Sequence, residues 1–155
     1  MVDLNLETLH AFIVRAKAAT YVGDGLPAPS CRPASHDLQF TEGDFSYLDS
    51  YFGGADFIGE EVVYYQGSPV WAENYYGRLL MPQAIRAEEV GMIIKESLSQ
   101  MYREGRFLGG FEHKTASGMY IDTSQGSVAS FLGKEWIAVQ DVKVYELVYH
   151  GGLIK

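Results

Sequence analysis

Residues Phe45 to Tyr76, FSYLDSYFGGADFIGEEVVYYQGSPVWAENYY, constrain the fold more than any other part of the chain. They hold ten of its twenty-one aromatic residues, interrupted at Gly53-Gly54, Gly59 and Gly67-Ser68-Pro69, which are turn chemistry rather than helix chemistry. Aromatic and β-branched runs cut in this way predict an antiparallel meander. Glu60, Glu61, Glu73 and Asn74 lie inside those runs and cannot all face an apolar core. One face of the sheet is therefore solvated or lines a polar pocket.

The flanking segments supply two helices. Leu6, Leu9, Phe12, Ile13, Ala16 and Thr20 make one stripe at helical spacing over residues 4 to 20, with Asp3 or Asn5 placed to cap it. Arg15 and Lys17 are read as lying off the stripe, on a solvated face or in contact with an anion near a pocket mouth. After a break at Tyr21-Val22-Gly23-Asp24-Gly25, prolines 27, 29 and 33 hold the next loop extended. Leu38 to Phe40 reads as a first strand and Glu42-Gly43-Asp44 as a turn. Pro82 suits a helix N1 position, so Gln83 to Glu104 reads as the second helix, with Ile85, Val90, Ile94, Leu98 and Met101 buried and Gly105 as its stop. Phe107 to His150 returns to strand patterning. The expected fold is α+β: two helices packed on a largely antiparallel curved sheet of about seven or eight strands, in one domain over residues 1–155.

The order helix, sheet, helix, sheet contains an internal echo. Tyr47-Leu48-Asp49-Ser50 matches Tyr120-Ile121-Asp122-Thr123 at an offset of 73, and Phe57-Ile58-Gly59-Glu60-Glu61 matches Phe131-Leu132-Gly133-Lys134-Glu135 at 74. Glu73 and Tyr76 meet Glu146 and Tyr149 at 73, and the helix exits at Tyr21 and Phe107 are 86 apart. This predicts a duplicated helix-plus-meander unit, about 4–80 and 83–153. The first copy carries the longer connection, with Ser30, Cys31, Arg32, Ser35 and His36, and an asymmetric insertion is where function is expected.

Charge and cysteine content exclude some roles. Twelve basic against 20 acidic residues leave a net charge of −8, which disfavours direct nucleic-acid binding because phosphate neutralisation supplies most of that affinity. Cys31 is the only cysteine, so no internal disulfide and no cysteine-based zinc site is expected within one chain. MVDLNLETLH has neither the basic start nor the apolar run of a secretion signal, and no segment approaches the roughly 18 apolar residues of a membrane span. A cytoplasmic protein without membrane contact is expected.

The segments SCRPASHDLQF, YLDSYFGGADFIGEEVVYYQGSPVWAENYYG, EGRFLGGFEH and VYELVYHGG resemble a family of uncharacterised bacterial proteins. That family is a domain of unknown function, found alone or fused behind a helix-turn-helix of the XRE regulator type. The resemblance covers nearly the whole chain and implies no known activity, substrate or catalytic residue. It does imply an association with transcriptional regulation in the fused members, and hence a sensor module detached from its output here.

The leading expectation is a small-molecule-binding or sensing domain whose pocket is walled by Tyr47, Tyr65, Trp71 and Tyr75, with Arg32, His36, Glu61 and Asn74 as polar contacts. The loop from Leu26 to Asp37, which carries Arg32 and His36, is expected to fold across an edge or mouth of the sheet, docked by Leu26, Pro29 and Cys31. Arginine is the stronger candidate contact, to Asp49, Glu61 or an anionic ligand, because its fork binds in bidentate fashion. The alternative is an enzyme using general acid–base chemistry through Glu61, His36 and His113, which requires those groups in one cleft. Paired carboxylates, Glu61 with Glu135 or Glu73 with Glu146, would serve the same chemistry. A third reading, a protein-interaction module, predicts a contiguous apolar patch and a homo-oligomer. No cofactor is implied, and His36, His113, His150 and Glu112 lack the ligand spacing of a metal site.

Overall fold

The computed structural model describes residues 4–22 and 27–155. The first helix, α1 (Leu6–Lys17), is capped by Asn5, whose Oδ1 accepts from the Thr8 backbone N–H at 2.9 Å. Asp3, the other candidate cap, lies outside the described residues. The helical path does not continue to residue 20 as an α-helix: it widens into a π-helical turn over Ala18–Val22. The break proposed at Gly23-Asp24-Gly25 lies outside the described residues.

Nine strands follow: β1 (Pro27–Ala28), β2 (His36–Glu42), β3 (Phe45–Gly53), β4 (Phe57–Tyr65), β5 (Ser68–Leu79) and, after the second helix α2 (Ala87–Arg103), β6 (Phe111–Lys114), β7 (Met119–Ser127), β8 (Ser130–Val139) and β9 (Val142–Leu153). The described residues thus form more strands than the expected seven or eight, and the two-residue β1 and the four-residue β6 are too short to show a period. Every pairing is antiparallel, in the order β1-β2-β3-β4-β5-β9-β8-β7-β6. Two meanders are thus joined along β5 and β9, where Tyr75 faces Tyr149. The two-residue turns Gln66-Gly67 and Gln140-Asp141 take positive φ at both central positions, as this hairpin type requires.

Helix α2 starts four residues later than Pro82 suggests. Pro82 sits in a turn closed by the Ala84 and Ile85 N–H groups on the Met81 carbonyl, and Arg86 is still extended. Glu89 Oε2 then accepts from the Arg86 N–H at 3.0 Å and fixes the helix start. Its stripe is as expected, with Val90, Ile94, Leu98 and Met101 buried, and Gly105 ends it at φ +76°.

Both helices lie on one face of the sheet, α1 against β2 and β3 and α2 against β6 and β7. The alternation of strand side chains sorts the meander acids cleanly: Glu61 and Glu73 point inward and are buried, whereas Glu60 and Asn74 point outward and are exposed. The sheet therefore has a solvated outer face and a polar interior on the other. Gly59 is no turn. It lies in mid-strand because the Tyr75 phenol and the Tyr51 Cβ occupy the space of its missing side chain, 2.5 and 2.6 Å from where a Cβ would stand. Gly133 in β8 receives the Tyr149 ring in the same way. Gly133→Ala is expected to displace that ring and to lower stability by about 1–3 kcal/mol, read by urea unfolding. An unchanged midpoint would show that the ring moves freely.

Candidate functional site

The interior polar groups come from elements whose sequence places them there. On β3 and β4, Tyr47, Asp49 and Glu61 share the inward parity of Val63, and on β5 so do Trp71, Glu73 and Tyr75. Above them, Lys17 ends α1 four residues after the buried Ile13, so its side chain follows the apolar stripe into the core. Lys17 is 6 % exposed, and Glu61 and Glu73 are 4 % and 6 %. The Lys17 Nζ donates to Glu61 Oε2 at 2.6 Å and to Glu73 Oε2 at 2.8 Å. The Tyr47 hydroxyl donates to the other oxygen of Glu61, and the Tyr75 hydroxyl donates to Asp49 at 2.6 Å. Phe107 and Trp71 rings lie 5.3 and 6.0 Å from the ammonium.

The second meander repeats this pattern without the lysine. Tyr120 donates to Glu135, and Tyr149 donates to Asp122 at 2.7 Å. Asp49 faces Glu61 across β3 and β4, and Asp122 faces Glu135 across β7 and β8. The equivalence of β5 with β9 differs from the expected one. Tyr149 stands in the place of Tyr75, not Tyr76, and the place of Glu73 is taken by Leu147. Tyr145, in the place of Trp71, adds a second hydroxyl to Glu135 at 3.0 Å.

A cavity of about 60 Å3 opens between these acids and the helices. Glu61, Glu73, Asp122 and Glu135 line it together with Lys17, and Phe57, Leu98, Phe107 and Leu147 supply apolar wall. The volume suffices for several water molecules or a few ligand atoms. A larger recess of about 330 Å3 beside it is bounded by Thr20, Leu38, Asp49 and Tyr51, and shares Tyr21, Phe57 and Tyr75.

Burial shifts the titration of these groups. It would lower the Lys17 pKa, but the charges of Glu61 and Glu73 outweigh it and hold the ammonium well above its ordinary range. Burial would raise both glutamates; Glu61, nearest the ammonium and hydrogen-bonded by Tyr47, is held down, while Glu73, repelled by Glu61, goes well up. Within this coupled triad the ammonium and the Glu61 carboxylate favour their charged forms, and Glu73 is the acid that favours its proton. Burial pushes Asp49 up to about 7, with Glu61 adding to it against the Tyr75 hydrogen bond. Burial likewise raises Glu135 to about 7 and Asp122 to about 6, although their tyrosine partners oppose it.

The structure redistributes the expected site residues. Tyr47, Glu61 and Tyr75 belong to the network. Trp71 is fully buried beneath it, its indole N–H given to the Val128 carbonyl at 3.0 Å. Tyr65 packs on Phe45 near the end of β4, away from the cavity, and Asn74 is on the outer face. Arg32 corrects the loop expectation: its guanidinium donates to the Ser50 carbonyl and hydroxyl, both at 2.9 Å, and stacks 4.5 Å over Phe52. Ser50 and Phe52 have the parity opposite to Asp49, so the loop docks on the outer face and Arg32 cannot reach the acids. Leu26, expected to help dock the loop, lies outside the described residues. His36 stacks on Tyr51 at the margin of the sheet and is exposed.

The acid–base constellation is also dispersed. His113 pairs with Glu96 on the surface at 2.9 Å, remote from both Glu61 and His36 in the strand order. Glu146 is on the outer face, bound to Arg78 at 2.8 Å, so Glu73 and Glu146 do not pair. Cys31 is exposed, its Sγ 3.5 Å from Ser50, while His36 faces the other way. Among the described residues, no group of three or more His, Cys, Asp or Glu side chains is arranged to hold a metal ion. Among them, too, no helix is long and apolar enough to cross a membrane.

Sequence reasoning missed Asp122, Tyr120, Tyr145 and Tyr149 as site residues, and it weighed Lys17 only as a surface or pocket-mouth cation, Asp49 only as a contact for Arg32 and Glu135 only as a partner for Glu61. For Lys17 the signal was its spacing of four from Ile13. For the others it was the echo itself, since Tyr47, Asp49 and Glu61 recur as Tyr120, Asp122 and Glu135.

The model of the DUF5680 family, a domain of unknown function, matches residues 49–154. The chain belongs to that family. The matched part of this DUF5680 domain contains the five buried acids of the inner face, whereas Lys17, Asp37 and Tyr47 stand before it. No curated protein and no solved structure is significantly similar to the chain.

Protons held by Asp49, Asp122 and Glu135 in the folded protein leave the unfolded chain near pH 4. Their contribution to stability is present at low pH and lost as pH rises through about 6 and 7. The DUF5680 domain is expected to lose at least about 2 kcal/mol of unfolding free energy between about pH 5 and pH 8. Lys17→Met is expected to cost a further 3–5 kcal/mol, roughly, at the upper pH, and less on acidification as Glu61 takes up a proton. Urea unfolding across that range checks both; a flat or rising pH profile would contradict the protonated interior.

Proposed function

We propose that the chain is a small-molecule-binding or sensing module whose ligand enters the cavity between α1, α2 and the inner face of the sheet. The observation that carries this reading is the lining: four carboxyl side chains and one ammonium converge on a space walled by aromatic and aliphatic groups. Binding sites combine apolar walls with a few convergent polar groups and perturbed titration in this way. A purely structural interior of the same volume would be filled with apolar side chains at lower desolvation cost.

We further read the recurrence of the tyrosine–acid pairs as an internal duplication of a helix-plus-meander unit, with the ligand between its halves. The regulatory association that the resemblance implies suits a sensor, because α1 contributes Lys17 to the cavity and would feel its occupancy. A bacterial origin and a cytoplasmic setting belong to the same proposal, and the single cysteine is compatible with a reducing compartment.

A thermal-shift screen against a metabolite library is expected to give stabilising compounds whose effect is lost in Leu98→Phe, which fills the cavity from α2. A complete lack of hits with the parent protein would count against the reading, as would hits that survive Leu98→Phe unchanged.

A second reading, self-association, rests on the outer face. Ile58, Tyr76 and Val148 lie side by side across β4, β5 and β9, 54 %, 43 % and 47 % exposed, with Leu132 diagonal to Val148 on β8. A contiguous apolar row on an open sheet is a natural contact surface. Sedimentation equilibrium is expected to show a dimer that Tyr76→Lys dissociates; a monomer at all concentrations would remove this reading.

A further inference from the structure

Resting on the small-molecule reading above, we infer that the cavity half formed by Glu135 and Asp122 binds a small aliphatic primary ammonium, in the place that corresponds to the Lys17 ammonium beside Glu61. The first half of the site shows what the constellation does with such a group. There a buried primary ammonium lies within 2.6 and 2.8 Å of two carboxylate oxygens, and an aromatic ring stands 5.3 Å away. The second half has the same tyrosine–glutamate and tyrosine–aspartate pairs, facing each other across the same strand pairing.

What it lacks, among the described residues, is a cation hydrogen-bonded to Glu135 or Asp122; the charge of Arg106 acts on Asp122 only from a distance. Arg103 stands on α2 where the 86-residue offset of the helix exits puts the counterpart of Lys17, and Arg103 is exposed. Arg106 gives its donors to Glu104 and to the carbonyls of Leu108 and Gly110. The place of Glu73 is held by Leu147, which borders the cavity and leaves Glu135 and Asp122 reachable from it.

Charge selects the ligand class. On the inner face, among the described residues, the buried carboxyl groups of Asp49, Glu61, Glu73, Asp122 and Glu135 outnumber one buried lysine, so an anionic ligand meets repulsion and a cation is attracted. The small volume favours an ammonium on a short alkyl chain, with Phe57, Phe107 and Leu147 against the carbons. The donors also favour it over a metal ion, since no three of these acids are arranged as ligands among the described residues.

Binding is also linked to pH. Glu135 on β8 faces Tyr120 and Asp122 from β7 and Tyr145 from β9, Asp122 meets Tyr149 from β9 and the charge of Arg106, and Lys17 from α1, Tyr21 from the π turn, Tyr102 from α2, Glu61 from β4 and Glu73 from β5 border the same space. Burial holds Glu135 near 7 and Asp122 near 6, and the ammonium binds only their ionised forms. Affinity therefore rises as pH passes through those values, until the amine itself deprotonates near 10.

The test uses butylamine, with butanol and butyrate as neutral and anionic probes of equal length, on the full chain by calorimetry and thermal shift. Butylamine alone is expected to bind, with affinity increasing roughly a hundredfold from about pH 5.5 to pH 8. The response should vanish in Glu135→Gln and persist in Glu146→Gln, whose carboxylate is on the outer face. If Glu135→Gln does not fold, the pH profile of the parent protein decides: a flat profile overturns the inference. Equal binding of butanol, or binding of butyrate, overturns it while leaving a ligand cavity in place. Failure of all three probes overturns it too, and the metabolite screen then decides separately whether the cavity binds anything.

Discussion

The ion pair of Lys17 with Glu61 and Glu73 is the interaction on which the arrangement of the rest depends. A lone buried carboxylate would cost several kcal/mol of desolvation, and two adjacent ones more. Burying both is tolerable only because one ammonium reaches each of them. That requirement fixes where α1 must end and which way its last turn must face. Beyond Lys17 the backbone leaves α-helical geometry for a π turn, while the Thr20 hydroxyl donates to the Ala16 carbonyl at 2.7 Å. Such a turn re-aims side chains without ending the helix, and it brings Tyr21 to the cavity wall.

The two halves of the sheet solve one problem in two ways. In the first, a glutamate is kept ionised by a lysine and a tyrosine. In the second, Glu135 is held by two tyrosine hydroxyls and lets its titration rise toward neutrality. The tyrosines that serve the aspartates, Tyr75 and Tyr149, both lie over a strand glycine, Gly59 and Gly133, because a side chain there would leave the ring no room. Glycine in mid-strand is normally a weakness. Here it lets a phenol lie flat on the sheet and reach an acid two strands away.

Much of this was legible in the residues and some was not. The meanders and their antiparallel pairing follow from aromatic runs separated by turns, and the buried stripe of α2 from spacing alone. The polar residues Glu60, Glu61, Glu73 and Asn74 within the strands left open a solvated face or a polar pocket, and the alternation of the folded strands produces both. The failures have physical causes. Lys17 was read as off the stripe, on a solvated face or at a pocket mouth, although its position, four after Ile13, is on the stripe. Pro82 is compatible with a turn as well as with a first helical residue, and the choice was made by the Met81 carbonyl. Arg32 was drawn toward the acids by charge, but pairing across β2 and β3 puts Ser50 and Asp49 on opposite faces, and the loop follows Ser50. Asp37 reinforces that choice. Burial alone would raise its pKa, yet bonds from Cys31, Ser35 and Ser50 hold it down at about 2, tying the loop to the outer side.

The register error at Tyr76 is the most instructive, because one residue decides the face. Matching Glu73 and Tyr76 to Glu146 and Tyr149 at an offset of 73 places one inward and one outward residue in each pair. The irregularities between Val63 and Tyr64 and between Ile137 and Ala138 occur at equivalent places in the two meanders. On the sheet side of them the correspondence runs at 74, which puts Tyr75 with Tyr149 and Glu73 with Leu147. An acid exchanged for leucine at that point removes the second carboxylate from one half. It is this exchange, more than the extra loop in the first half, that breaks the likeness where the cavity lies.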